Sequence, residues 1–326
     1  FEPVKRLSLL VPICLGALAF LNTWDFPIYW LIFLVTYGLG RWRRHGRFRW
    51  PFLRDVGVTG VAVAVLAFLF YLPFYIGFRS QAGGLMPTIY VGTRFRQYFV
   101  MFGPFLVALV GMLVLFTVRW RREAPGNKWA ASWLGWTAVL LLAPFVFMLL
   151  ISLALALTPP GQELLEGIRR IPAIYELVGD KPWAQVMADL LLVKLRTILM
   201  PLIVAATGAL GVILLQRSVR DPAEGAEQSD GGMLRHPSVQ FVLICAVAGL
   251  LLTLRVELFY LLDVFRVRAN TIFKFYFQAW ILMGITSAFA VYWLSRGMGR
   301  RRALEKIARG VFLIAFWVLF AMAMVY

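Results

Sequence analysis

The 326 residues are 61% hydrophobic with a mean hydropathy of +0.78, against roughly 45–50% apolar usage in a soluble domain. Runs of about 18 or more apolar residues recur along the chain, which excludes a soluble fold and the alternating ten-residue segments of a β-barrel. The formal net charge of +17 is spread over connections between these runs, so it points to membrane lipids and away from nucleic acid as the partner.

The fold class that follows is all-α, a polytopic transmembrane helical bundle occupying residues 1–326. About nine spans are expected, near 5–22, 26–40, 55–77, 98–118, 133–157, 197–215, 238–254, 277–294 and 310–326. The segments 1–6, 41–54, 119–128, 216–237 and 295–309 hold 21 of the 33 Lys and Arg. They alternate with the spans, so the basic-residue rule puts the N-terminus and these loops in the cytoplasm. The remaining 12 basic residues face 8 acidic ones on the outer side, an outer surface suited to an anionic ligand. Because the chain starts at Phe1 and ends inside an apolar run, it reads as a C-terminal portion of a longer protein. The N-terminal remainder is then an expected partner.

Between the first two spans lies Asn22-Thr23-Trp24-Asp25-Phe26-Pro27, polar residues at the mouth of an apolar pair. Asp25 has the chemistry of a general base, a ligand for a divalent metal ion or an acceptor for sugar hydroxyls. Trp24 offers a stacking face for a sugar ring, and Asn22 a hydrogen-bonding amide. Helix-start grammar explains the same residues without any ligand, with Asp25 at the cap and Pro27 in the first turn. The outer loop 78–97 ends in Thr93-Arg94-Phe95-Arg96-Gln97-Tyr98. Arg94 and Arg96 are phosphate-clamping or interface-anchoring residues.

Farther along, 159–196 forms an outer amphipathic segment with apolar residues at helical spacing, which Pro172 is expected to break. The segment 216–237 is polar and Gly-rich, a flexible cytoplasmic loop. Cys14 and Cys245 fall inside spans and His45 and His236 in basic loops, so no disulfide framework or histidine metal cluster is indicated.

The stretch 255–278 carries Arg255, Glu257, Asp263, Arg266, Arg268, Asn270, Lys274 and Gln278. If 263–278 is helical, Arg266, Asn270, Lys274 and Gln278 share one face at spacing four. Arg268 and Lys274 would neutralise a phosphate, Asn270 and Gln278 would bind sugar hydroxyls, and Asp263 would act as acid, base or metal ligand. The bland alternative is an internal ion-pair network, such as Asp263 with Arg266 or Arg268.

Two segments, Leu21–Tyr29 and Arg268–Trp280, resemble the hallmark stretches of the Chlor_Arch_YYY family of large prokaryotic membrane proteins. Phe102-Gly103-Pro104-Phe105-Leu106 is a weaker echo. That family in turn resembles, remotely, the GT-C glycosyltransferases. The resemblance implies a multi-pass protein of a prokaryotic plasma membrane with a GT-C-like fold, and a transferase that takes sugar from a polyprenyl-phosphate donor at the outer face. It implies Asp25 or Asp263 as the catalytic carboxylate. The usual upstream carboxylate and His-containing outer motif of these families are not present in this chain. A transporter or lipid flippase, or a non-catalytic lipid-binding scaffold, is the alternative. The span interiors are nearly free of charge while polar groups crowd the outer ends, which favours binding or chemistry at the interface over a transmembrane path.

Overall fold

The computed structural model describes residues 2–45, 50–79, 84–88, 92–123, 128–219, 231–262, 268–296 and 303–325. The helices in chain order are α1 (Glu2–Leu21), α2 (Asp25–His45), α3 (Trp50–Phe70), α4 (Leu72–Gly77), α5 (Phe95–Glu123), α6 (Trp129–Ala156) and α7 (Pro159–Arg169), continuing with α8 (Pro172–Val178), α9 (Trp183–Arg196), α10 (Leu199–Val219), α11 (Gly231–Leu234), α12 (Pro237–Val256), α13 (Ala269–Ser295) and α14 (Ala303–Ala323). Two short strands, β1 (Gly84–Pro87) and β2 (Phe259–Leu262), interrupt them.

Each expected span except the third falls on one long helix. Among the described residues, seven of these are long and apolar enough to cross a membrane, namely α3, α5, α6, α10, α12, α13 and α14. The first two expected spans fall on α1 and α2, helices of 20 and 21 residues whose sequences carry charges at residues 2–6 and 41–44. The protein is thus an all-α polytopic membrane bundle. Expectation and structure part at the third span. There α3 ends at Phe70 and a new short helix starts after Tyr71, with Pro73 in its first turn. Proline has no N–H to continue the preceding ladder and is favoured at a helix start.

The chain divides into two compact units. One comprises Phe1–Gln81 and Leu215–Cys245. In it α1 and α3 pack so closely that a Cβ at Gly16 would lie 2.4 Å from the Ala67 carbonyl oxygen and 2.5 Å from the Tyr71 ring. Leu15, Ala19, Phe26, Val63 and Ala67 fill this contact. Lipid tails are as apolar as leucine, so membrane helices gain little from leaving them, and close packing of small residues supplies the attraction. A Gly16→Leu substitution is therefore expected to destabilise this unit by about 1–3 kcal/mol through overpacking, read as a lower melting temperature in detergent. At the other end of α2 and α3, Asp55 pairs with Arg41 and accepts a 3.3 Å hydrogen bond from Tyr37.

The second unit comprises Ala82–Leu214 and Ala246–Tyr326. Its centre is α5, whose Tyr98, Phe102, Leu106, Leu109, Leu113 and Phe116 recur every three or four residues and are buried. They pack on α13, with Phe102 edge-on to Tyr276 at 5.2 Å and Phe116 edge-on to Trp293 at 4.4 Å. On α14, Arg309 is fully buried and donates to the carbonyls of Trp293, Leu294 and Arg296 at 2.9, 3.1 and 3.0 Å, capping the end of α13. Glu305 accepts from both Arg309 and Arg119, and both guanidiniums lie over the Trp293 ring.

At the opposite end of α13, β1 and β2 pair antiparallel, Gly84 with Leu262 and Pro87 with Phe259. Tyr260 of β2 joins Ile174, Val178 and Val186 in a small apolar core, which seats the amphipathic segment α7–α9 on the strand pair. Pro172 opens α8 three residues after α7 ends, the break expected from the sequence. Residues 220–230 of the expected flexible loop lie outside the described residues, and α10 runs on to Val219 at its start.

Candidate functional site

The residues singled out in the sequence separate into two groups. In the first unit, Asn22 and Asp25 close the turn between α1 and α2. The Asn22 side-chain amide donates to the Asp25 carboxylate at 2.8 Å, and the Asp25 backbone N–H donates to the Asn22 carbonyl at 2.9 Å. Asp25 is the first residue of α2 and buried, with its negative charge at the positive end of the helix dipole. This geometry has the local helix-start character weighed from the sequence. It also leaves a buried carboxylate at a helix start in a membrane protein, the kind of group retained for a task. Trp24 is half-buried beside it.

In the second unit the α13 helix begins at Ala269, so Arg268 occupies its N-cap position. Asp263 and Arg266 lie outside the described residues. Asn270, Lys274 and Gln278 do recur at spacing four on α13, half-buried at 270 and 274 and buried at 278. Arg268 takes a different path. Its guanidinium lies 3.2 Å from the Glu257 carboxylate and donates to the Thr93 hydroxyl. The internal pairing anticipated for Arg268 thus exists with Glu257, the residue that ends the run just beyond α12.

Glu257 is the centre of this cluster. It is 3% exposed, and it accepts from the Thr93 backbone N–H at 2.9 Å and from the Thr93 hydroxyl. Thr93 is held in place by Gly92, where any Cβ would fall 2.2 Å from the Thr197 hydroxyl, so only glycine lets this loop pass the start of α10. Lys194, in the last turn of α9, donates to the main-chain oxygen of Glu257. Burial pushes the Lys194 ammonium down to about 8, with Glu257 opposing that shift and Arg268 adding to it. Tyr276 lies about two turns into α13, and its buried hydroxyl faces Thr93 without a hydrogen bond of ordinary geometry. Positions 274 and 276 are roughly 200° apart around a helix. The Lys274 stripe and the Tyr276 cluster therefore occupy different sides of α13.

Arg94 and Arg96, expected as clamps, are exposed at the start of α5. It is Thr93, between them and the strand pair, that reaches the buried carboxylate. Sequence reasoning passed over Thr93 and Lys194 and counted Glu257 only among the charges of its stretch. One signal was available: Glu257 is the single carboxylate in the otherwise apolar run from Val256 to Leu262. Among the described residues no group of three or more His, Cys, Asp and Glu is placed to hold a metal ion.

The cluster gathers one carboxylate, two cations, a hydroxyl and a phenol at one end of three membrane helices. Such a set has the donors to orient an anionic group, with the carboxylate fixing the guanidinium. No curated protein and no solved structure matches the chain. Residues 3–283 match a family of membrane proteins, and the chain belongs to it: the family described as "Uncharacterized membrane protein (DUF2298)".

Proposed function

We propose that this membrane protein handles a polyprenyl-phosphate-linked sugar at the outer face of a prokaryotic plasma membrane, as an integral-membrane enzyme of the glycosyltransferase type. The observation that carries the reading is the buried Thr93–Lys194–Glu257–Arg268 cluster at the shared end of α5, α12 and α13. Buried ionisable groups in a membrane bundle are costly and mark sites of binding or chemistry. The similarity of the Leu21–Tyr29 and Arg268–Trp280 segments to the Chlor_Arch_YYY family, and through it to GT-C enzymes, supports the transferase class; it is an analogy of fold. The basic-residue distribution supports an inside N-terminus, which puts this end of the helices outside.

On this reading Arg268 neutralises the donor phosphate, with Arg94 and Arg96 at the rim, and Lys274 lies with Asn270 and Gln278 along the stripe that holds the sugar. Asn270 and Gln278 bind sugar hydroxyls. A carboxylate takes the proton of the acceptor hydroxyl, with Asp263 the candidate that the sequence offers beside them. The acceptor oxygen then bonds to the anomeric carbon as the bond to the phosphate oxygen breaks, with inversion and release of the polyprenyl phosphate. The charge on that leaving group is what the cations stabilise.

Native mass spectrometry of gently purified protein tests this. A polyprenyl phosphate or its glycoside is expected to stay bound to the wild type and to fall about tenfold in Lys274→Ala, a half-buried position outside the Glu257 network. Only bulk phospholipid, equal in both proteins, would defeat the reading.

A further inference from the structure

The last two turns of α9 bury the opposite face from the one a helix beside water buries. The inward side of α9 carries Val186, Leu190 and Lys194 at spacing four, and these are 1, 5 and 6% exposed. Val186 packs with Tyr260 of β2 and with Ile174 and Val178 of α8, while the Lys194 ammonium donates to the Glu257 main-chain oxygen. Outward stand Leu191, Leu192 and Leu195, 58, 54 and 54% exposed. Water selects the reverse, with leucines turned in and lysine turned out. A lysine turned in and three leucines turned out fit a hydrocarbon surrounding. There a cation gains by retreating to a protein acceptor, and a leucine loses nothing by facing outward.

The change of surroundings can be placed along the helix. Ala184, Gln185 and Ala188 are the exposed residues on the same side one to two turns earlier, and there Lys181 bridges to Asp189 at 2.8 Å on a solvent-accessible surface. From residue 191 onward that side is leucine. Arg196, exposed beside the leucines, has a stem long enough to return its guanidinium to the headgroups. The strip also continues past the end of α9. Leu199 and Leu202 are 54 and 41% exposed on α10, one of the helices long and apolar enough to cross a membrane. The leucines of α9 are thus continuous with the surface that α10 turns to lipid.

We propose that the last two turns of α9 lie in the leaflet at this end of the bundle, with lipid tails packed on Leu191, Leu192 and Leu195 and the water boundary crossing the helix between Ala188 and Leu191. Helices of this kind sink an apolar face about 5–10 Å into the boundary between headgroups and acyl chains. A helix with its side chains is roughly 10–12 Å across. The lipid tails and the Glu257 cluster therefore stand on opposite sides of a wall one helix thick, and Lys194 points through it to the cluster. This placement is independent of what the bundle binds.

Nitroxide side chains test it in protein reconstituted into phosphatidylcholine nanodiscs. Gln185→Cys, Leu192→Cys, Leu195→Cys and Leu202→Cys are labelled singly in a chain whose own free cysteines are removed as Cys14→Ser and Cys245→Ala. Power saturation compares collisions with oxygen, which concentrates in lipid, and with a neutral nickel chelate, which stays in water. The oxygen-to-nickel ratio at Leu192→Cys and Leu195→Cys is expected to exceed that at Gln185→Cys about tenfold and to approach that at Leu202→Cys. Nickel access at Leu192→Cys equal to that at Gln185→Cys overturns the proposal, because the leucines then face water. Low access for both reagents overturns it in favour of a protein chain, such as a second copy, seated on the strip. Where a label disturbs α9, Leu192→Gln supplies the test. It is expected to lower the melting temperature in nanodiscs by placing an amide in hydrocarbon, and an unchanged or raised melting temperature would put Leu192 in water.

Discussion

Glu257→Ala is expected to lower stability by about 3–5 kcal/mol, because it leaves Arg268 buried without this carboxylate. The loss should appear as a large drop in melting temperature in detergent at a fixed scan rate. The partners make a sharper experiment possible. Arg268→Ala strands the carboxylate in the same way, whereas Glu257→Ala with Arg268→Ala removes both charges of the pair. The double variant should therefore lose much less than the two single losses added together. Additive losses would mean that the pair contributes nothing as a pair, and Glu257 would then matter only through Thr93.

The second large effect belongs to the other end of the same unit. Arg309→Met is expected to cost about 3 kcal/mol or more. It strips three carbonyls at the end of α13 of their donor and leaves Glu305 with Arg119. Arg309→Lys should recover only part of this. A single ammonium retains the charge, but it cannot present the forked donors that reach three carbonyls and a carboxylate together. Full stability in Arg309→Lys would reduce the residue to its charge.

The spans were legible because a membrane reads sequence in lengths of apolar chain, and that signal is local. Every expected span but the third, which is split at Tyr71, lies on one helix, and even the Pro172 break was visible. The strand pair was not, since Gly84-Leu85-Met86-Pro87 and Phe259-Tyr260-Leu261-Leu262 have no alternation and become strands only through each other. The same limit applies to the cluster. Arg268 was singled out in the sequence, but the ion-pair partner weighed for it was Asp263, its near neighbour in sequence. Thr93 and Lys194 are unremarkable in isolation. They gain meaning only when the fold brings them to Glu257, positions that no local pattern connects.

That long-range closure also sets an order of assembly. Thr93 and Glu257 are 164 positions apart, so at roughly 5–20 residues per second a ribosome needs about 8–33 s to travel between them. Throughout that interval β1 has an open edge, and Thr93 awaits the carboxylate that will organise it. The strand pair and its buried charge are thus the closing clasp of a unit whose earlier helices are already in the membrane, and a nascent chain stalled before residue 257 would display that clasp open.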